Sequence, residues 1–130
     1  MKVSLCNGNI TKAMYYLKQL VSQTPYATKG QKDYEDRFRF ILNNIFYLCG
    51  FQVEEEKQMS NGTIDLVAEN QRMILIFELK LESNGGLEAA KAQLKDRNYA
   101  AAYSASNKSV HQIAIEFSLN KHGITGWEEV

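Results

Sequence analysis

The chain has 130 residues, with 15 Lys+Arg against 15 Asp+Glu for a formal net charge of +0, 45% hydrophobic and 23% charged residues. That is one domain by length, and its hydrophobic content excludes chain-wide disorder, which needs low hydrophobicity and high net charge. No apolar run approaches the ~20 residues of a membrane span, and the zero sum argues against an all-over positive coat for nucleic acid.

The first helix is expected from Asn9 to Gln23, where Ile10, Ala13, Met14, Leu17, Leu20 and Val21 fall on one stripe. Thr24–Lys32, with Pro25 and Gly30, reads as a connector. Asp33 is the predicted N-cap of a second helix that ends before Gly50, where glycine suits the left-handed cap position. Its buried set is Tyr34, Phe38, Ile41, Leu42, Ile45, Leu48 and Cys49. Strands follow at Phe51–Lys57, Gly62–Glu69 and Arg72–Leu81. A third helix spans Leu87–Tyr103 with Leu87, Ala90, Leu94 and Ala101 inward, then come a strand at Val110–Ser118 and a short one at Gly126–Val130.

Three strands with short connections predict an antiparallel meander, and the third helix predicts a crossover to a parallel neighbour. The fold class is therefore α/β or α+β, with a mixed sheet flanked by helices. The first 32 residues form a helix and connector packing on a core of 33–130. The first ten residues lack the apolar segment of an export signal, so a cytoplasmic location is expected. Cys6 and Cys49 have no metal-ligand spacing, Cys49 reads as a buried thiol, and His111 and His122 are isolated.

The third strand carries the most information. Met73–Phe77 is apolar on both faces, as in a strand covered on both sides, and then Glu78 and Lys80 interrupt it two residues apart. Charges there are costly unless paired or metal-bound, although a solvated strand end is the simpler alternative. Turning the chain at Asn70-Gln71 pairs Glu69 with Arg72, sets Asp65 opposite Ile76, and makes Glu78 its diagonal neighbour. Two carboxylates about one point make a hard oxygen site suited to magnesium or manganese.

Glu35 lies at the edge of the second helix's apolar stripe and leans toward the sheet. The alternative is a surface pair with Arg39 at i+4. Gln93 flanks the stripe of the third helix, where it either reaches a phosphate or the lysine or is simply solvated. Lys91, Lys95 and Arg97 offer local phosphate contacts despite the neutral sum. Tyr99, Tyr103 and Trp127 read as packing residues, and the Glu54-Glu55-Glu56 run as solvated strand edge.

Asp65 followed by Glu78-Leu79-Lys80 resembles the PD-(D/E)xK nuclease superfamily. Gly50–Glu54, Ser60–Val67, Ile76–Leu81, Ala92–Leu94, Tyr99-Ala100, Ile113–Phe117 and Trp127 are similar to the group found at the C-terminal end of bacterial AAA-ATPase-like proteins. Ile64 stands in place of the motif's proline, and Thr63 where the group often has arginine.

The resemblance implies a restriction-endonuclease-like core and a metal-dependent nuclease hydrolysing phosphodiester bonds. It implies Mg2+ or Mn2+ held by Glu35, Asp65, Glu78 and the Leu79 carbonyl. Asp65, Glu78, Lys80 and Gln93 are then the catalytic set. The implied partners are nucleic acid, DNA ahead of RNA, and an AAA-type ATPase domain, with no membrane and a homodimer left open. The alternative is a catalytically inactive nucleic-acid-binding or regulatory module of such an ATPase.

Overall fold

The computed structural model describes residues 9–23, 31–119 and 123–130. Cys6, His122 and the connector up to residue 30 lie outside the described residues.

Helix α1 (Ile10–Gln23) opens where Asn9 Oδ1 accepts the Lys12 N–H at 3.0 Å. Ile10, Ala13, Met14, Leu17 and Val21 are buried, but Leu20, at the edge of the stripe, is 44% exposed. Helix α2 (Gln31–Leu48) begins before the expected cap residue, Asp33. Asp33 is therefore not the N-cap. It sits in the first turn, where its carboxylate faces the positive helix end and accepts from Arg37 Nε at 3.2 Å.

The other end of α2 closes as expected. Gly50 at φ +91 lets the Gly50 N–H reach the Tyr47 carbonyl and the Phe51 N–H reach that of Phe46. Tyr34, Phe38, Leu42 and Phe46 form a fully buried row at i+4 spacing. Cys49 is half-buried against the core, whereas Leu48, on the far side of the last turn, is 79% exposed.

The sheet has strands β1 (Gln52–Met59), β2 (Gly62–Glu69), β3 (Met73–Leu81), β4 (Ser109–Ser118) and β5 (Gly123–Glu129). They lie in sequential order, antiparallel except for the parallel pair β3–β4, joined by the crossover helix α3 (Gly86–Arg97). The meander and the parallel return are as the element order predicts.

The expected long third helix is broken. Asn98 takes a left-handed conformation, which asparagine tolerates, and Tyr99–Tyr103 continue as a 3-10 turn. Two tertiary bonds favour the break: Tyr99 Oη donates to the Thr63 carbonyl at 3.0 Å, and the Ala100 N–H donates to Gln112 Oε1 at 3.1 Å. Ala101 consequently ends exposed rather than in the packed stripe.

The two sheet faces carry separate cores. Helices α1 and α2 cover one, where Phe38 stacks on Phe117 at 4.2 Å between centroids. Ala90 and Leu94 of α3, with Tyr99, cover the other against Ile64, Val67, Ile74, Ile76 and Ala114. Among the described residues, no helix is long and apolar enough to cross a membrane.

Candidate functional site

The β2–β3 hairpin turns later than the sequence suggests. Asn70 Oδ1 accepts the N–H groups of Arg72 and Met73 at 2.8 and 2.9 Å, and the strands pair Glu69 with Ile74 rather than with Arg72. Over the paired stretch this two-residue shift in register keeps side chains on their expected faces, but it corrects the expected Asp65–Ile76 pairing: Ile76 faces Val67. Pairing continues from Glu69/Ile74 to Leu66/Phe77. Beyond that point β2 remains paired to β1 as far as Gly62, and β3 to β4 as far as Leu81. The sheet is thus forked, with Asp65 on one prong and Glu78, Leu79 and Lys80 on the other.

The strands are also kinked at the fork. Ile64 and Leu66, two residues apart, pack into the cores on opposite faces, whereas a regular strand would put them on the same face. Alongside, Glu55 pairs with Leu66 and Lys57 with Ile64, while Glu56 between them has φ +50. A positive φ is rare for a residue with a side chain, and such strain is commonly found at functional sites.

Asp65 and Glu78 meet at the fork. Asp65 Oδ2 accepts the Leu79 N–H at 2.8 Å, and the Asp65 and Glu78 carboxyl groups lie close enough to influence each other's ionisation. Glu78 is 1% exposed, and its Oε2 is buried with no hydrogen-bond partner. Burial, and next the charge of Asp65, push the Glu78 carboxyl up to about 8; Lys80 pulls the other way. Asp65 is also raised by burial, against the opposing effect of the Leu79 N–H.

A cavity of about 170 Å³ opens at the fork. Its walls include Asp65, Leu79 and Lys80 from the sheet, Glu35 and Arg39 from α2, and Glu56 from β1. Glu35 thus reaches the cavity, while the ion pairs of Arg39 go to Asp36, Glu55 and Glu56. Neither Glu78 nor Gln93 is part of this wall: Glu78 lies buried behind it next to Asp65, and Gln93 is half-buried on α3, the helix over the opposite face.

Among the described residues, no three acidic, His or Cys side chains stand close enough to form a ready metal-ligand set. The donor chemistry nevertheless suits a hard divalent cation: the half-buried Asp65 and the buried Glu78, with its orphaned oxygen, lie close together and repel each other when both are ionised.

Sequence reasoning missed Arg39 and Glu56 as wall residues. Their signal is faint, because strand alternation with Glu55 facing α2 would direct Glu56 away from the cavity; the φ of +50 redirects it. The basic residues proposed for phosphate are partly committed elsewhere. Lys91 pairs with Glu128 at 2.5 Å, and Arg97 Nη1 donates to the Asn61 carbonyl at 3.1 Å.

A forked mixed sheet bearing an Asp on one prong and a Glu-x-Lys on the next, with a helix-borne Glu beside them, defines a restriction-endonuclease-like α+β domain. The chain belongs to the PD-(D/E)XK nuclease superfamily, whose family model matches residues 33–127. It is also similar to an uncharacterized protein in the vnfD 5′ region of Azotobacter chroococcum mcd 1, with 29% identity over 94 residues, 72% of this chain. The matched stretch covers 18% of that relative's length.

Proposed function

We propose that the fork is the catalytic site of a metal-dependent nuclease that hydrolyses phosphodiester bonds, DNA ahead of RNA as substrate. The observation that carries this reading is the pairing of a half-buried Asp65 on the cavity wall beside Lys80 with a buried Glu78 that has an orphaned oxygen. A purely structural pair of acids would be destabilising there, since each carboxylate raises the cost of ionising the other.

Asp65 and Glu78 would hold Mg2+ or Mn2+, with Glu35 and the Leu79 carbonyl completing the protein's donors. When bound, the cation supplies an activated water and charge stabilisation at the phosphate. The residues around it have separate tasks. The Leu79 N–H fixes the orientation of Asp65. Lys80, on the cavity wall, offers its ammonium to the water or to the charge that builds on the phosphate. The resemblance also assigns Gln93 to orienting Lys80 or a phosphate; because Gln93 lies on α3, over the opposite face of the sheet, no step is routed through it.

The likeness to C-terminal domains of AAA-ATPase-like proteins supports a module that works beside an ATPase domain. A match covering 18% of the relative's length agrees with that setting.

The test is cleavage of single- and double-stranded DNA and RNA in Mg2+, Mn2+ or EDTA, with Asp65→Ala and Lys80→Ala alongside. Cleavage that needs metal and is lost in both variants supports the proposal. Wild-type protein that neither cleaves nor gains thermal stability from either cation overturns it.

A further inference from the structure

Arg39 is more tightly held than a surface arginine. Its side chain is 13% exposed; Nε donates to Glu55 Oε1 at 2.9 Å, and Nη2 donates to Asp36 Oδ1 at 2.9 Å. A third carboxylate, Glu56 Oε1, lies 3.3 Å from Nη2. These contacts leave Nη1 as the amino group they do not engage. Part of this network is a staple, because Glu55 also accepts from Asn43 Nδ2 at 2.7 Å and so ties α2 to β1.

A staple alone does not explain where Arg39 sits. It shares the cavity wall with Asp65 and Lys80, on a different element from the lysine. Nor does a staple explain Glu56, which makes the longest of the three contacts from a residue at φ +50. A guanidinium on the cavity wall that is held in place by Asp36 and Glu55 suits a phosphate oxygen.

We propose that Arg39 is a substrate-binding residue, the second phosphate-gripping cation of the site after Lys80, and that Glu56 competes with nucleic acid for it. The inference rests on the nuclease reading for its ligand, a phosphodiester backbone. Glu55 and Asp36 hold the guanidinium in place, and a backbone phosphate takes the place of Glu56. Glu56 is thus a built-in anionic rival that lowers affinity for nucleic acid until a strand is seated.

Binding of a short fluorescein-labelled DNA duplex and its single strands, followed by anisotropy in EDTA over a salt series, tests this without any cleavage. Arg39→Gln should bind roughly tenfold more weakly, the loss of one charge-assisted contact. The slope of log affinity against log salt should shrink by about one. Arg39→Lys keeps the charge and should keep the slope.

Glu56→Gln should bind more tightly than wild type. Asn43→Ala removes a staple bond without touching charge and should bind as wild type; thermal melts report whether each variant folds. The inference is overturned if wild type shows no binding, if Arg39→Gln keeps the wild-type affinity and slope, or if Asn43→Ala loses as much as Arg39→Gln. Because the assay excludes metal, a protein that binds through Arg39 yet neither cleaves nor gains thermal stability from Mg2+ or Mn2+ would defeat the nuclease reading and leave this one standing.

Discussion

The Leu79 backbone N–H donates to Asp65 Oδ2 at 2.8 Å, bridging two strands at the level where their ladder has ended. The bond fixes one oxygen of Asp65, so Asp65→Asn retains an acceptor for it and the fork should keep its shape. What the amide removes is the negative charge facing the Glu78 carboxyl. Cleavage in Mg2+ should fall by more than about 100-fold, since even the loss of a ligand's supporting partner costs about 10- to 100-fold. Single-turnover rates beside thermal melts check this: a large rate loss with a nearly unchanged melt is the expected result.

The metal-free protein should lose stability as pH rises. Glu78 is raised from 4.5 to about 8, chiefly by burial and then by Asp65, so the folded state holds its proton more tightly than the unfolded chain. Below about pH 4.5 both states carry the proton and no penalty exists. Between there and about pH 8 the unfolded chain ionises first, so stability declines, and above that range the penalty is complete. Asp65, raised in the same direction, adds to the slope. Urea midpoints in EDTA across this range should fall for wild type and stay flatter for Glu78→Gln. Adding Mg2+ should restore wild-type stability at the high end, where the cation replaces the proton. Equal slopes for wild type and Glu78→Gln would contradict the assignment.

Lys80 and the carboxylates should separate in their effects. Lys80 lines the cavity and donates only cationic charge, so it cannot ligate a metal while protonated. Lys80→Ala should lower kcat by about 100- to 1000-fold, the scale for removing a group that stabilises transition-state charge. It should leave the Mg2+-induced rise in Tm intact or slightly larger, because a competing positive charge is gone. Glu78→Gln should abolish both. Running the two assays on the same preparations distinguishes a lost ligand from a lost electrostatic group.

The element order, the meander and the parallel crossover were legible because each depends on local patterning: the apolar run Met73–Phe77, the stripes of α1 and α2, and Gly50 as a helix stop. The misses lie where a side chain overrides the backbone pattern. Asn70, by accepting two N–H bonds, moves the turn on by one residue and so shifts the register by two. Asn98 breaks the third helix because Tyr99 and Gln112 bind the chain beyond it. At the site, Lys80 and Glu35 could be placed by strand and helix period and share a cavity with Asp65, but the expected facing of Asp65 rested on a hairpin register and a strand alternation that both break at the fork. Arg39 and Glu56 could not, since their position depends on three carboxylates from two elements and on one positive φ.

Glu116 and Gly86 should prove energetically coupled at the start of α3. Glu116 Oε2 accepts the Leu87 N–H at 3.0 Å, and its Oε1 accepts from Thr125 Oγ1 at 2.7 Å, so the carboxylate caps the helix and is pinned by β5. Gly86 has φ +58, and a Cβ there would lie 2.3 Å from Glu116 Oε2. Glu116→Ala should cost about 1–2 kcal/mol, the range for losing an N-terminal capping acceptor. Gly86→Ala should cost about 1–2 kcal/mol for the left-handed conformation, plus whatever is lost when Glu116 is displaced. With Glu116 already removed, Gly86→Ala meets only the backbone strain. The double variant should therefore be more stable than the sum of the two losses implies, by about 1 kcal/mol, within the range seen for residues in contact. Urea unfolding of the four proteins in the cycle measures the difference, and strict additivity would mean that Glu116 yields to the methyl group without losing its bond to Leu87.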